Sequence, residues 1–326
     1  MHPAISVVLL TTLIGVGQGL FLALYTGQIY SMLNLLPVQN SQNFYALGNL
    51  LALTFLAMGL FASFFHLGRP LRAWRSASQW RTSWLSREVI ILPTVMFFVA
   101  LYGVIHYFGW SEKQLFVINQ MQPINLSLFV GAIATLVTFL LFVSTSMIYA
   151  SIRFLPEWYN PLTVINYILL GGASGFTLAT AFSIYVGADV GSFYALWAII
   201  LTTAAFITRS ISLLRNNNLK PKSNLRSAIG VRHTIIKQKT QGFMGGSFNT
   251  REFFHNKSLD TLKIIKVMFL ILIFLVPIIL LFLISFGLEY LAVVAFVSQY
   301  LGLTLERWYF FTEGTHPQNL YYQTVA

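Results

Sequence analysis

Residues 126–149 read LSLFVGAIATLVTFLLFVSTSMIY, a run of 24 residues without a charged side chain. A helix that spans a bilayer needs about 20 mostly apolar residues, and this run meets that length. Seven further windows qualify: 5–25, 45–65, 87–108, 161–185, 193–209, 265–287 and 288–311. Helices satisfy their own backbone in lipid. Barrel strands would alternate over about 10 residues, and these solid runs do not. The chain therefore reads as an all-α integral membrane protein, a bundle of about eight transmembrane helices in a single membrane domain over 1–326.

Composition agrees. Of 326 residues, 56% are hydrophobic and only 9% charged, with a mean hydropathy of +0.71. Soluble domains carry roughly 25% charged residues, so this chain cannot cover a water-facing surface. It contains no Cys, which excludes disulfides, covalently attached haem, thiolate zinc sites and Cys-ligated iron–sulfur clusters within it. The net charge of +11 points to topology and anionic lipid rather than nucleic acid in so apolar a chain. Before the first apolar run stand only Met1 to Ala4, with no basic residue, so that run reads as a retained helix rather than a secretory signal.

The 20 Lys and Arg residues are distributed unevenly. With Arg209 and Lys266 counted in the loop after the sixth window, every one except Lys113 falls on the side of the two termini. The positive-inside rule then places both termini of this multi-pass chain in the cytoplasm. Residues 210–263 form the one long connection, basic and Asn-rich in its first half. Its second half carries Phe248, Asn249, Arg251, Phe253 and Phe254, poor choices for a loop that touches nothing, and reads as a partner-contact surface. The tail containing His316 and Asn319 reads the same way. The glycines of 242–246 follow no strand and lack the Walker spacing. Two Gly-x-x-x-Gly patches, Gly15 to Gly19 and Gly171 to Gly175, predict close helix–helix approach.

Chemistry concentrates between the second and third windows, in His66-Leu67-Gly68-Arg69-Pro70-Leu71-Arg72-Ala73-Trp74-Arg75, continuing through Trp80-Arg81, Trp84 and Arg87-Glu88. Ionisable groups at a membrane edge are costly unless used. A tight reversal brings His66 and Glu88 to one face, whereas His106 ends the third window about 27 Å further along its axis. Paired axial ligands at one depth are therefore missing, which argues against haem. No carboxylate–histidine spacing within a helix suggests a metal site.

The cluster suits a two-electron, two-proton carrier such as quinol. His66 and Glu88 would accept its protons. Arg69, Arg72, Arg75 and Arg87 would stabilise a quinolate oxygen, Trp74, Trp80 or Trp84 would wall the ring, and Gly68 would belong to the same pocket. The competing explanation for each Arg and Trp is an ordinary interfacial belt.

These same motifs resemble the dimethyl sulfoxide reductase membrane-anchor family. The likeness rests on His66-Leu67-Gly68-Arg69-Pro70, on Arg72-Ala73-Trp74 and on Ser83-Trp84-Leu85-Ser86-Arg87-Glu88. The stretch Gly245 to His255 and the tail Glu306-Arg307-Trp308 with His316-Pro317-Gln318-Asn319 extend it to essentially the whole chain. The resemblance implies a subunit that oxidises menaquinol in anaerobic respiration and passes electrons to a four-cluster iron–sulfur subunit. That partner would feed a molybdopterin catalytic subunit. It also implicates the positions of His66 and Glu88 at the quinol site, with Arg72 in the same motif. The basic stretch before Gly242 matches no motif of the family.

Two other readings compete: a multi-helix transporter or channel, and an assembly anchor without a quinone site. No matched pair of broken helices suggests an inverted repeat. Few ionisable residues stand inside the apolar windows, which also weighs against transport.

Overall fold

The computed structural model describes residues 1–116, 124–220, 224–237 and 253–321. Among the described residues, eight long helices form the bundle: α1 (Ile5–Met32), α2 (Leu47–Ser63), α3 (Trp84–Tyr107), α4 (Leu126–Ala150), α5 (Pro161–Val186), α6 (Gly191–Asn217), α8 (Leu259–Ile284) and α9 (Leu291–Glu313). A short α7 (Leu225–Ile229) lies in the long connection. Seven of the eight, all but α9, are long and apolar enough to cross a membrane, taking α2 with the π-turn Ser41–Ala46 that leads into it. The expected all-α membrane bundle is what the chain forms. A two-stranded hairpin, β1 (Gln114–Phe116) with β2 (Ile124–Asn125), joins α3 to α4 on the face opposite the termini.

The centre of the bundle is α1 against α5. Small residues make this contact possible: a Cβ on Gly175 would overlap the backbone of Gly19 and Leu20, and one on Gly19 would overlap the Gly171 carbonyl. Without a hydrophobic force between helices in lipid, such close backbone approach is a main source of packing energy. Local signals set the ends. Asn160 caps α5 by accepting from Leu162 N at 3.1 Å, with Pro161 at the first helical position. Gly187, at φ +72°, closes it in the left-handed conformation.

Several helices outrun their apolar windows. α1 continues to Met32, α3 begins at Trp84, α9 reaches Glu313, and α6 extends from window 193–209 to Asn217. The 210–263 connection is thus shorter than the hydropathy implies: its first eight residues finish α6, Leu225–Ile229 is helical, and α8 starts at Leu259. Hydropathy marks where lipid is, and a helix can continue into water as long as its backbone bonds do. Arg209, counted as a loop cation, accordingly belongs to α6 and is buried.

Candidate functional site at the His66–Glu88 face

A 3-10 turn, Phe64–His66, ends α2, and a longer one, Pro70–Gln79, crosses the bundle edge before Ser83 caps α3 by accepting from Ser86 N at 3.4 Å. His66, Gly68, Arg69, Arg72, Trp74 and Arg75 all lie on the exposed side of this crossing. Much of its positive charge has a structural use. Arg75 stacks on Trp74, Arg81 on Trp80 and Arg87 on Trp84, the last with its guanidinium 4.1 Å from the ring centroid. Arg87 also donates to the carbonyls of Trp80 (2.9 Å) and Arg81 (2.8 Å), pinning the crossing to the first turn of α3.

Glu88 behaves differently from this rim. It is 6% exposed, and the Thr145 hydroxyl on α4 donates to its Oε1 at 2.7 Å. Tyr149 and Tyr167 are close enough to interact electrostatically with it. Glu88 is thus turned into the bundle under a loop whose His66 faces outward. The structure puts both at one face, and among the described residues neither a hydrogen bond nor an ion pair joins them directly.

Beside Thr145 lies a cavity of about 20 Å3, lined also by Thr11, Thr12, Gly15, Gln18, Tyr167 and Arg307. Beyond it stands an ion cluster that sequence reasoning did not assemble. Arg209 Nε is 2.8 Å from Glu306 Oε1, Arg307 Nε is 2.6 Å from Glu306 Oε2, and Arg209 Nη2 is 3.8 Å from Glu313 Oε2. Arg307 also lies over the Tyr167 ring, 4.0 Å from its centroid. Two guanidinium groups and two carboxylates balance, which is what allows four ionisable groups to be buried together. The signal available in sequence was Glu306-Arg307 directly after a long apolar run; its partner Arg209 is far away along the chain and could not be read locally.

At the other end of α3, His106 is buried between Tyr45 and Tyr102, with ring centroids at 4.7 and 4.6 Å. Its Nδ1 is 2.7 Å from Ser41 Oγ and its Nε2 is 3.5 Å from Gln28 Nε2. The Tyr102 hydroxyl donates to Gln28 Oε1 at 2.6 Å, leaving the Gln28 amide nitrogen toward the imidazole. That arrangement suits a neutral ring which accepts from Gln28 and donates to Ser41. His106 is a satisfied knot, on the face opposite His66.

The residues expected to contact a partner divide. Phe248, Asn249 and Arg251 lie outside the described residues. Phe253 and Phe254 are buried within the chain. The His316 ring stacks on Phe253 at 3.8 Å and 5°, and Asn319 Nδ2 donates to the Phe253 carbonyl at 3.1 Å. The tail and the end of the long connection are therefore clasped together. Met1 N, which donates to Thr312 O and Gly314 O, closes the same corner and holds the N-terminus against the end of α9.

Among the described residues, then, the chain is a helical membrane bundle without cysteine, with one carboxylate buried at the edge where α3 begins. Over residues 1–322 the chain matches the family described as DMSO reductase anchor subunit (DmsC), and it belongs to that family. It is also 53% identical, over the full length of both chains, to a protein of Allochromatium vinosum named as a subunit of sulfite dehydrogenase. Membership makes it a multi-pass anchor of a molybdoenzyme complex, and the transporter alternative falls away.

Proposed function

We propose that this anchor exchanges electrons and protons with membrane quinone beside Glu88 and His66. The observation that carries the reading is Glu88 itself, a carboxyl group buried at the membrane edge and held by one hydroxyl donor beneath an exposed His- and Arg-bearing loop. Interconversion of quinone and quinol moves two electrons and two protons, so a site for it needs groups that take up and give back protons next to the ring oxygens. Glu88 supplies one from inside and His66 one from the rim. Arg69 and Arg72, free of the Trp stacking that occupies Arg75 and Arg87, stabilise negative charge on a ring oxygen. Trp74 offers an aromatic wall, and Gly68 leaves the approach open, since nothing lies within 4 Å of where its Cβ would be.

Electrons cross between this site and an iron–sulfur partner seated on the same face, with a molybdopterin catalytic subunit beyond it; without a cysteine the chain provides no thiolate ligands of its own. The full-length relative is named for sulfite oxidation. Oxidising sulfite with water releases two electrons and two protons, and this favours flow from partner to quinone. The family's description as a reductase anchor favours the opposite flow, with menaquinol oxidised. We take the first direction as the principal reading. The Lys and Arg distribution supports cytoplasmic termini, and the anchor family with its Allochromatium relative supports a bacterial inner membrane.

The test is sulfite-dependent reduction of a quinone analogue by the assembled complex. His66→Ala and Glu88→Gln slow it at least tenfold while the subunits still co-purify. Unchanged rates in both variants would remove the site assignment. Absence of quinone-analogue binding by the intact complex would leave a pure anchor. Because the chain has no Cys, single introduced cysteines and an impermeant thiol reagent report the side of each terminus cleanly.

A further inference from the structure

The cavity next to Thr145 has features that the packing of α1, α4 and α5 does not explain. Half of the residues on its wall carry polar side chains. Its volume of about 20 Å3 suffices for one water, for which roughly 10–15 Å3 is needed. The Arg307 guanidinium and the Tyr167 hydroxyl interact with one another, yet no hydrogen bond of good geometry ends on Arg307 Nη1 or on the Tyr167 hydroxyl, although both residues line the cavity and are more than nine-tenths buried. Buried donors so poorly served are rare, and an ordered water is the usual remedy. On the opposite wall the Thr145 hydroxyl spends its proton on Glu88 and keeps lone pairs free to accept.

We propose that a water in this cavity bridges Arg307 to Thr145, and so makes Thr145 and Arg307 positioning residues that set the proton affinity of Glu88. With Glu88 ionised, Arg307 Nη1 donates to the water, the water donates to Thr145 Oγ1, and Thr145 donates to Glu88 Oε1. Each bond in the chain points positive hydrogen toward the carboxylate, so the relay carries the influence of a buried cation to Glu88 without direct contact. When Glu88 takes a proton, the relay reverses: the carboxyl donates to Thr145 Oγ1, whose own hydrogen turns to the water. No net charge leaves the site in that rearrangement. Around Glu88, Thr145 on α4 donates to its carboxylate, Tyr149 on α4 and Tyr167 on α5 lie within electrostatic range, and Arg87 is its chain neighbour on α3. Arg307, paired with Glu306 on α9, is the buried cation that shares a cavity with Thr145.

The functional meaning of this relay rests on the proposed role of Glu88, but its test does not require quinone. Infrared titration of the full complex in lipid nanodiscs follows the carbonyl stretch of protonated Glu88, identified by its loss in Glu88→Gln. Thr145→Val keeps the shape and removes the donor, and raises the proton affinity of Glu88 about tenfold; Thr145→Ser restores it. Gly15→Ala is the second arm. Gly15 lines the cavity, and a Cβ there meets only Gly171 Cα at 3.6 Å, an ordinary contact. The added methyl displaces the water while leaving the Thr145–Glu88 bond intact, and it shifts the carbonyl titration in the same direction by a smaller factor. A normal Glu88 titration in Thr145→Val overturns the role of Thr145. A normal titration in Gly15→Ala overturns the water. If both shifts appear in a complex that binds no quinone, the relay stands and the quinone reading falls.

Discussion

Gly19 on α1 and Gly175 on α5 meet backbone to backbone, with no room for a methyl on either. The same pair of motifs contains Gly15, whose Cβ position is open but for one contact at 3.6 Å. Three glycines in one seam thus make opposite predictions. Gly19→Ala and Gly175→Ala force the central helices apart and cost about 1–3 kcal/mol or more, as overpacking does. Gly15→Ala meets no backbone overlap and costs only the loss of the cavity water, about 1 kcal/mol, the mildest change of the three. Thermal unfolding of the three variants in one detergent checks the contrast, and equal losses at all three positions would contradict the described seam.

Arg209 is 2% exposed and Glu306 is fully buried. Removing one member of a buried balanced cluster strands a charge, at a cost of about 3–5 kcal/mol. Arg209→Met is therefore expected to lower the unfolding temperature strongly. Adding Glu313→Gln to it restores neutrality, since Glu306 keeps Arg307 at 2.6 Å, and recovers much of the loss. A double variant as unstable as the single one would show that charge balance is not what this cluster provides.

The clasp between the tail and the long connection is expected to depend on pH. Burial, aided by the positive N-terminus, holds the His316 imidazole below the ordinary histidine range; burial and the same charge do so for His255, with further contributions from His2 and Lys257. Both rings bind a proton less readily in the folded corner than in an open one. The open form therefore carries more protons, and the clasp strengthens as pH rises through the histidine range and weakens as it falls below about 6.5. Limited proteolysis between Phe253 and Lys257 should accelerate on acidification. His316→Phe preserves the stacking on Phe253, and together with His255→Asn it should make the pH profile shallower, leaving the part due to the Met1 amine, which burial pulls down to about 6. A profile unchanged in that double variant would assign the effect elsewhere.

What was legible in the sequence divides by range. Solid apolar runs identified the helices, and the Gly-x-x-x-Gly patches marked two places of close helix approach, because both signals are local; that the patches meet each other is a finding of the structure. The reversal between His66 and Glu88 was also legible, since an Arg- and Trp-rich stretch between two apolar runs stands out against the rest. What could not be read was where Glu88 turned. Its burial depends on Thr145, more than fifty residues away, and on the approach of α4 to α3. Arg209 looked like the first residue of a basic loop because hydropathy falls there; only its distant carboxylates show that the helix continues. Phe253 looked like bait for a partner until His316 and Asn319, at the far end of the chain, were seen to cover it.

The Arg209 cluster also bears on the order in which the molecule can be completed. Chains enter a membrane from the N-terminus, so α6 arrives with its guanidinium before either carboxylate partner has been synthesised. Until α9 emerges, Arg209 has to stay near the headgroups, reaching for water along its flexible stem. The sixth helix can settle to its final depth only when the last one comes to meet it. A ribosome stalled before residue 306 should therefore hold an inserted but unfinished bundle, with α6 still accessible to reagents that the complete protein excludes.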